Sequence, residues 1–272
     1  MAALPAAQAF QDVNHRCVIS DSRTLPVTVA CRRSSNGMST SFWRSGIGMP
    51  QEKELSRIRS VYDARDQDLA HDLTAFDRWA KFERECQFAQ CLRSLGIPLC
   101  DIRLLEIGAG SGDNILYFLR EGLSARNIQA VELSSARVMT LRDRCPGVQA
   151  WEGDAAQFPG ENGSFDIVFQ SMVFTSILSQ ELRVSLAARM FELVRDGGIC
   201  LWYDFAFNNP RNADVRGVRV SEIRRLFPQA REITARRVTL MPPLGRRVGN
   251  WYWTVTSLLP WLRSHRIAVI RK

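Results

Sequence analysis

Leu104-Leu105-Glu106-Ile107-Gly108-Ala109-Gly110-Ser111-Gly112-Asp113-Asn114 joins a short apolar run to the start of a helical pattern through three glycines. Glycines at 108, 110 and 112 permit a tight turn and let a ligand approach the backbone, and the helix that follows offers free N–H groups. This is a nucleotide-type cradle. A dinucleotide fingerprint, G-x-G-x-x-G, needs its third glycine at position 113, where Asp113 stands. Glu106, two residues ahead of the first glycine, fits poorly beside a pyrophosphate and well beside a cationic ligand.

The pattern outward from this turn alternates. Apolar strand-like runs at 103–107, 128–132, 148–152, 165–170 and 199–204 are separated by helical stretches near 114–121, 135–144 and 180–195. Strand, helix, strand in this rhythm predicts a parallel, doubly wound α/β sheet. Upstream, Leu55, Ile58, Val61 and Tyr62, then Leu73, Phe76, Trp79, Phe82, Phe88, Cys91 and Leu92, recur at helical spacing, so two helices are expected before Gly96-Ile97-Pro98. Downstream, 232–240 reads as strand, 244–262 as helical and 265–272 as strand.

Glu106 through Gly112 resembles motif I of the class I S-adenosylmethionine-dependent methyltransferases. Ala130-Val131-Glu132-Leu133, Glu152-Gly153-Asp154-Ala155, the fourth strand from Phe165 to Ser171 and the turn from Leu193 to Gly198 match the same family in order and spacing. Asp196 departs from it, standing where the family often has proline, and Ala109 stands where cysteine or another small residue is common. The resemblance implies a Rossmann-like fold: a doubly wound, seven-stranded, mostly parallel sheet with N-terminal helices and an antiparallel C-terminal strand. It implies S-adenosyl-L-methionine as cofactor. Glu106 and the glycines would hold its amino-acid end, Glu132 its ribose hydroxyls and Asp154 its adenine amino group. Gly108, Ala109, Gly110, Gly112, Asn114, Leu133, Ala155, Gln170 and Ser171 complete the expected cofactor site. More narrowly, 56–66, 202–212, 214–218 and 222–228 resemble a bacterial subgroup tied to surface polysaccharide or secondary metabolite pathways.

Methyl transfer is an in-line displacement, so the acceptor must lie beyond the carboxyl ends of the strands, near strands four and five. A hydroxyl acceptor benefits from a general base. Asp204 is the first candidate and His71 the second, with Tyr62, Asn208 and Asn209 as orienting groups. Asp204 reads equally well as a strand-end residue bonded to loop amides, and His71 as a solvated helix residue. Tyr62 and Arg65 read either as parts of a lid or as a core tyrosine and a surface arginine. The expected partner is a small molecule, such as a sugar, glycan precursor or secondary metabolite.

With 272 residues, 46% of them hydrophobic and 24% charged, the chain can bury a sizeable core. Its net charge of +8 divides into +3 over 1–50, −6 over 51–210 and +11 over 211–272. The basic end raises an alternative, a nucleic-acid-binding methyltransferase. Against it, no N/D-P-P-Y/F follows strand four and no Pro-Cys dipeptide offers a nucleophile, so no nucleic acid is expected. A nicotinamide oxidoreductase is disfavoured by Asp113. Trp251, Tyr252, Trp253 and Trp261, flanked by Arg246, Arg247, Arg263 and Arg266, read as a helix packed on the core or lining the acceptor pocket, or else as a membrane-surface helix.

The stretch from Trp251 to Leu262 is shorter than the roughly 20 residues that span a bilayer. No signal peptide is recognised, which leaves the cytoplasm as the expected location. Seven scattered cysteines and three histidines predict reduced thiols and no metal site. Residues 1–48 lack periodicity and read as a disordered extension, either upstream of a true start at Met38 or Met49 or, less favoured, an organelle-targeting sequence. Residues 49–99 are expected to form a helical lid region and 100–272 the catalytic domain.

Overall fold

The structure, a computed structural model, describes residues 49–67, 74–208 and 212–272. The described residues from Met49 onward belong to one compact unit. Two helices come first, α1 (Met49–Gln67) and α2 (Ala75–Arg93). Thr74 caps α2, accepting from the Asp77 amide while the Asp77 carboxylate takes the Thr74 amide. This reciprocal pair satisfies two of the free amides at the helix start.

The alternating part then runs β1 (Leu104–Ile107), α3 (Asp113–Glu121), β2 (Ile128–Glu132), α4 (Ser135–Arg144), β3 (Gln149–Glu152), β4 (Phe165–Ser171), α5 (Gln180–Leu193) and β5 (Val194–Phe205). The chain closes with α6 (Val220–Leu226), β6 (Glu232–Leu240), α7 (Pro242–Val248), α8 (Tyr252–Leu258) and β7 (Arg263–Arg271). The strands form one seven-stranded sheet in the order β3-β2-β1-β4-β5-β7-β6. β1 to β5 are mutually parallel, β7 is antiparallel to both neighbours, and β6 therefore runs with β5. This is the doubly wound, Rossmann-like sheet expected from the sequence, with its reversed C-terminal strand. The strand order turns back at β1, and crevices in open sheets form at such a point, beyond the carboxyl ends of the strands.

β1 and β4 are buried almost throughout, as strands covered by helices on both faces must be. Leu105, Val168, Cys200 and Trp202 pack on one face with α5 and α6, and Leu104, Ile167, Phe169, Leu201 and Tyr203 on the other with Phe88 and Phe118. Two elements differ from the sequence reading. The 193–198 turn belongs largely to β5, because Val194 already pairs with Phe165 before a register shift, and a Cβ on Gly198 would lie 2.8 Å from the Asp166 carbonyl oxygen. The stretch read as helical over 244–262 is two short helices broken at Gly249, whose φ is +51°.

Candidate cofactor and acceptor site

A cavity opens at the carboxyl ends of β1, β2, β3 and β4, with an empty volume of about 880 Å³ that includes its open mouth. Gly108, Glu132, Leu133, Asp154, Ala155 and Ser171 line it. Of the expected cofactor residues these six share one wall. Glu106 of β1, Ala109, Gly110 and Gly112 of the glycine turn, Asn114 of α3 and Gln170 of β4 are outside the lining.

The turn is held from within the protein. The Ala109 amide donates to the Val131 carbonyl at 3.0 Å, the Gly110 amide to Glu132 Oε2 at 2.8 Å and the Gly112 amide to the Ala109 carbonyl at 3.0 Å. Three of the loop amides are therefore already spent, which removes the main attraction of such a loop for a pyrophosphate. Gly108 has φ +65°, and a Cβ there would lie 2.5 Å from a Val173 methyl carbon. Gly110 has φ +56° and open space where a side chain would stand. Gly112 serves packing: at φ +86° its Cβ would meet Cys145 Sγ at 2.9 Å.

Glu106 is fully buried. Asn114 Nδ2, in the first turn of α3, donates to its Oε1 at 2.7 Å, while Oε2 has no partner. Burial pushes its pKa up to about 8, with Glu132 and Asp113 adding to the rise, against the pull of Asn114 and Arg84. An unpaired oxygen on a buried carboxyl is a standing cost, and a cation supplied by a ligand relieves it. Glu132 accepts from the amides of Leu133 at 2.9 Å and Ser134 at 3.0 Å as well as from Gly110. Asp154 Oδ1 accepts from the Ala156 amide at 3.0 Å, and its Oδ2 takes Gln51 Nε2 at 3.3 Å. The acids closing β1, β2 and β3 are thus held side by side at one end of the sheet.

Helix α1 covers this end, with Leu55, Ile58, Arg59 and Tyr62 among the lining residues. Gln51 reaches Asp154, Arg59 Nε donates to the Leu133 carbonyl at 3.3 Å, and Ser134 Oγ donates to Asp63 at 2.8 Å. On the opposite rim Glu54 Oε1 accepts from the Leu178 amide at 2.5 Å, and Arg57 Nη2 donates to the Ser176 carbonyl at 2.6 Å. Tyr62 Oη lies 2.6 Å from Ser176 Oγ, and the Arg137 guanidinium stands 4.6 Å from the Tyr62 ring centroid. Tyr62 is a wall residue of the cavity, bonded to its rim. The side chain of Arg65 lies outside the described residues, as do His71 and Asn209.

Asp204 corrects an expectation. It is fully buried on the α5 face of β5 and absent from the cavity lining. Its carboxylate accepts from the amides of Thr175 and Phe205, both at 3.0 Å, so it holds the turn after β4, the second of the two readings its position allowed. Burial raises its pKa to about 6 against those hydrogen bonds. Asn208 is also structural, accepting from the Gly217 amide at 3.0 Å. The reason is the pleat: alternate residues at a strand end face opposite ways, and spacing alone does not say which face is the site.

The opposite face of β5 carries a polar group that the sequence reading passed over. Tyr203 stacks on His265 at 5.2 Å, Phe205 lies 4.3 Å from the same ring, and Arg84 of α2 stands 5.2 Å over Tyr203. Burial, with Arg84 adding to it, lowers the His265 pKa to about 3, so its imidazole is neutral at ordinary pH. Arg84 Nε is buried without a hydrogen-bond partner, as is Gln87 Oε1 one turn on. No local signal marks Arg84 or His265, because one belongs to a helix remote in sequence and the other to the last strand.

The comparisons agree with this geometry. Residues 104–198 match the family model described as a methyltransferase domain. A ubiquinone/menaquinone biosynthesis C-methyltransferase of Campylobacter jejuni is 24% identical over 160 residues, 57% of this chain, and the match spans 64% of that protein. Among solved structures, a putative sarcosine dimethylglycine methyltransferase from Galdieria sulphuraria superposes with a TM-score of 0.54 at 12% identity over 81% of this chain and 98% of its own. A geranyl diphosphate C-methyltransferase from Streptomyces coelicolor gives 0.50 at 15% over 69% and 78%. The [4+2]-cyclase SpnF gives 0.53 at 16% over 69% and 81%. At these identities the structural likeness establishes the fold, and the match to the methyltransferase-domain model is confined to residues 104–198.

Proposed function

We propose that the chain is an S-adenosylmethionine-dependent methyltransferase acting on a small-molecule acceptor. The observation that carries the reading is the buried, half-unpaired Glu106 carboxyl behind a glycine turn, in line with Glu132 and Asp154 on the next two strand ends. The residues fit this cofactor. Glu106 and Asn114 suit its ammonium group, Arg84 its carboxylate, Glu132 its ribose hydroxyls, and Asp154 its adenine amino group. In the described structure the Gln51 amide occupies the Asp154 oxygen that such an amino group would take. The same set is a poor match for a dinucleotide, whose phosphates would meet carboxylates and spent amides.

Bound there, S-adenosylmethionine supplies a methyl group activated by its sulfonium charge. The chain's own task is orientation and exclusion of water. α1 closes the cavity mouth, and Tyr62 fixes the helix to the rim at Ser176. At the carboxyl end of β5 and the start of β7, outside the cavity lining, the neutral His265 ring has one nitrogen engaged with Ser264 at 3.0 Å, which leaves the other to accept from a hydroxyl brought there by the acceptor. A hydroxyl of a sugar, glycan precursor or secondary metabolite is the acceptor we favour. The C-methyltransferase relatives make an activated carbon the second choice. The test is S-adenosylhomocysteine release across a panel of sugars, phenols, quinols, isoprenoids and amines. Turnover confined to hydroxyl acceptors supports the reading, turnover confined to carbon or nitrogen acceptors corrects the acceptor, and none with any class contradicts it.

A further inference from the structure

An antiparallel pair such as β6 and β7 needs only a few connecting residues, yet 22 residues, 241–262, join them. Leu240 pairs with Arg263 and His265 with Phe205, so this connection emerges at the carboxyl end of β5, the same edge of the sheet as the glycine turn. Its inner side is ordinary packing. Tyr252 is buried, lies 6.1 Å from Phe76 and donates from its hydroxyl to Glu83 at 2.6 Å, and Gly245 fits where a Cβ would be 2.2 Å from the Phe76 ring.

The outer side is unusual. Trp251 and Leu258 are each 69% exposed and Trp261 is 62% exposed, so the segment packs on the core through Tyr252 and turns these two indoles outward. Trp251, Thr254 and Leu258 fall on one side of a helical turn. Trp253 continues the surface toward α2, where the half-exposed Phe82 ring stands 6.0 Å away. Met241 is exposed at the start of the same connection. The charge of this part of the sequence has one sign: residues 233–272 hold eight Arg or Lys and no Asp or Glu, and of these Arg246 and Arg247 are exposed within the connection itself. Much of the remaining positive charge of the C-terminal quarter is spent internally, as with Arg216 on Glu222 and Arg266 on the Val218 carbonyl.

We propose that the outer face of 241–262 is a docking surface for an anionic phospholipid bilayer. Exposed indoles and a leucine in one connection with Arg246 and Arg247 suit the headgroup layer, where the rings sit at the boundary and the guanidiniums meet phosphates. A second copy of the chain fits less well, because a two-fold contact would set Arg246 and Arg247 of one patch against those of the other with no carboxylate in 233–272 to pair them. Nucleic acid would use the arginines and leave Leu258 and Met241 without a role. No described helix is long and apolar enough to cross a membrane, so the contact is peripheral.

The test is co-sedimentation of the full chain with vesicles of phosphatidylcholine alone and of phosphatidylcholine mixed with phosphatidylglycerol, read beside tryptophan emission. Binding confined to the anionic vesicles, weakened by salt and accompanied by a blue shift, is expected. A W251A/L258S/W261A variant should bind at least about tenfold more weakly, and R246Q/R247Q should lose most of the salt dependence. All five positions are exposed, so thermal melting of the variants should match that of the parent. Three results would overturn the proposal: no vesicle binding by the folded chain at low salt, binding unchanged in the triple variant, or self-association or nucleic-acid binding that the triple variant abolishes while vesicles are ignored.

Discussion

Glu106 is the residue on which the site turns. With a folded pKa near 8 against an ordinary 4.5, the unliganded protein keeps a proton that the unfolded chain releases between those values. Its contribution to stability is therefore fully present below the unfolded pKa and lost as pH rises through about 8. Glu106→Gln should melt higher than the parent at pH values above that point and equal it in acid, by calorimetry across pH. A ligand ammonium beside the carboxyl reverses the preference, so S-adenosylhomocysteine binding at neutral pH should release a proton. That release, read from the dependence of binding heat on buffer ionisation, should vanish in Glu106→Gln. Arg84 gives a second test. Arg84→Met should weaken S-adenosylhomocysteine about tenfold or more, ~1.4 kcal/mol, and leave 5′-methylthioadenosine, which lacks the amino-acid end, within about twofold. Equal losses for both ligands would show that Arg84 supports the fold and makes no carboxylate contact. Glu106, Glu132 and Asp154 were legible because each stands within two residues of a strand's carboxyl end at a spacing that resembles a known motif. Asp204 looked equally promising at the end of β5, and only the sheet shows that it faces the Thr175 amide while Tyr203 and Phe205 turn to the opposite face, against His265.

Among elements, α1 walls the cavity from outside the sheet. Its polar groups bond to the segments after β2, β3 and β4, so it spans the cavity mouth. Glu54 is the strongest anchor. Burial opposes its ionisation, but Arg57 and the amides of Leu178 and Ser179 outweigh that and hold its pKa below the ordinary carboxylate value. The anchor is thus present at neutral pH and lost as pH falls through that lowered pKa. Glu54→Ala should speed amide exchange across Met49–Gln67, leave the central strands protected, and raise the Kd for S-adenosylhomocysteine several-fold. Unchanged exchange in α1 would show that other contacts seat the helix. The apolar spacing of Leu55, Ile58 and Tyr62 revealed the helix, and nothing in it revealed where the helix docks, since its partners are carbonyls and amides of distant turns. α6 was missed altogether: Val220–Leu226 is seven residues long, too short to show periodicity among its arginines.

At the scale of the molecule, one sheet edge carries acids by β1 to β3, an arginine and a neutral histidine by β5 and β7, and exposed indoles beyond. The alternation of strand and helix gave the sheet away, because buried parallel strands read as apolar runs. The outward direction of the last indoles did not show, since exposed and buried tryptophans look alike in sequence. Ligand binding should be visible globally: S-adenosylhomocysteine at a hundredfold excess over its Kd should add about 2.7 kcal/mol, a rise of roughly 5–10 °C in Tm.

The most direct measurement is calorimetric titration of the chain with S-adenosylmethionine and S-adenosylhomocysteine, beside Glu132→Ala and Asp154→Ala variants of confirmed fold. One site of micromolar affinity, weakened about tenfold or more in both variants, is the predicted result. No binding of either ligand by the well-folded parent would contradict the account and leave a methyltransferase fold put to another use.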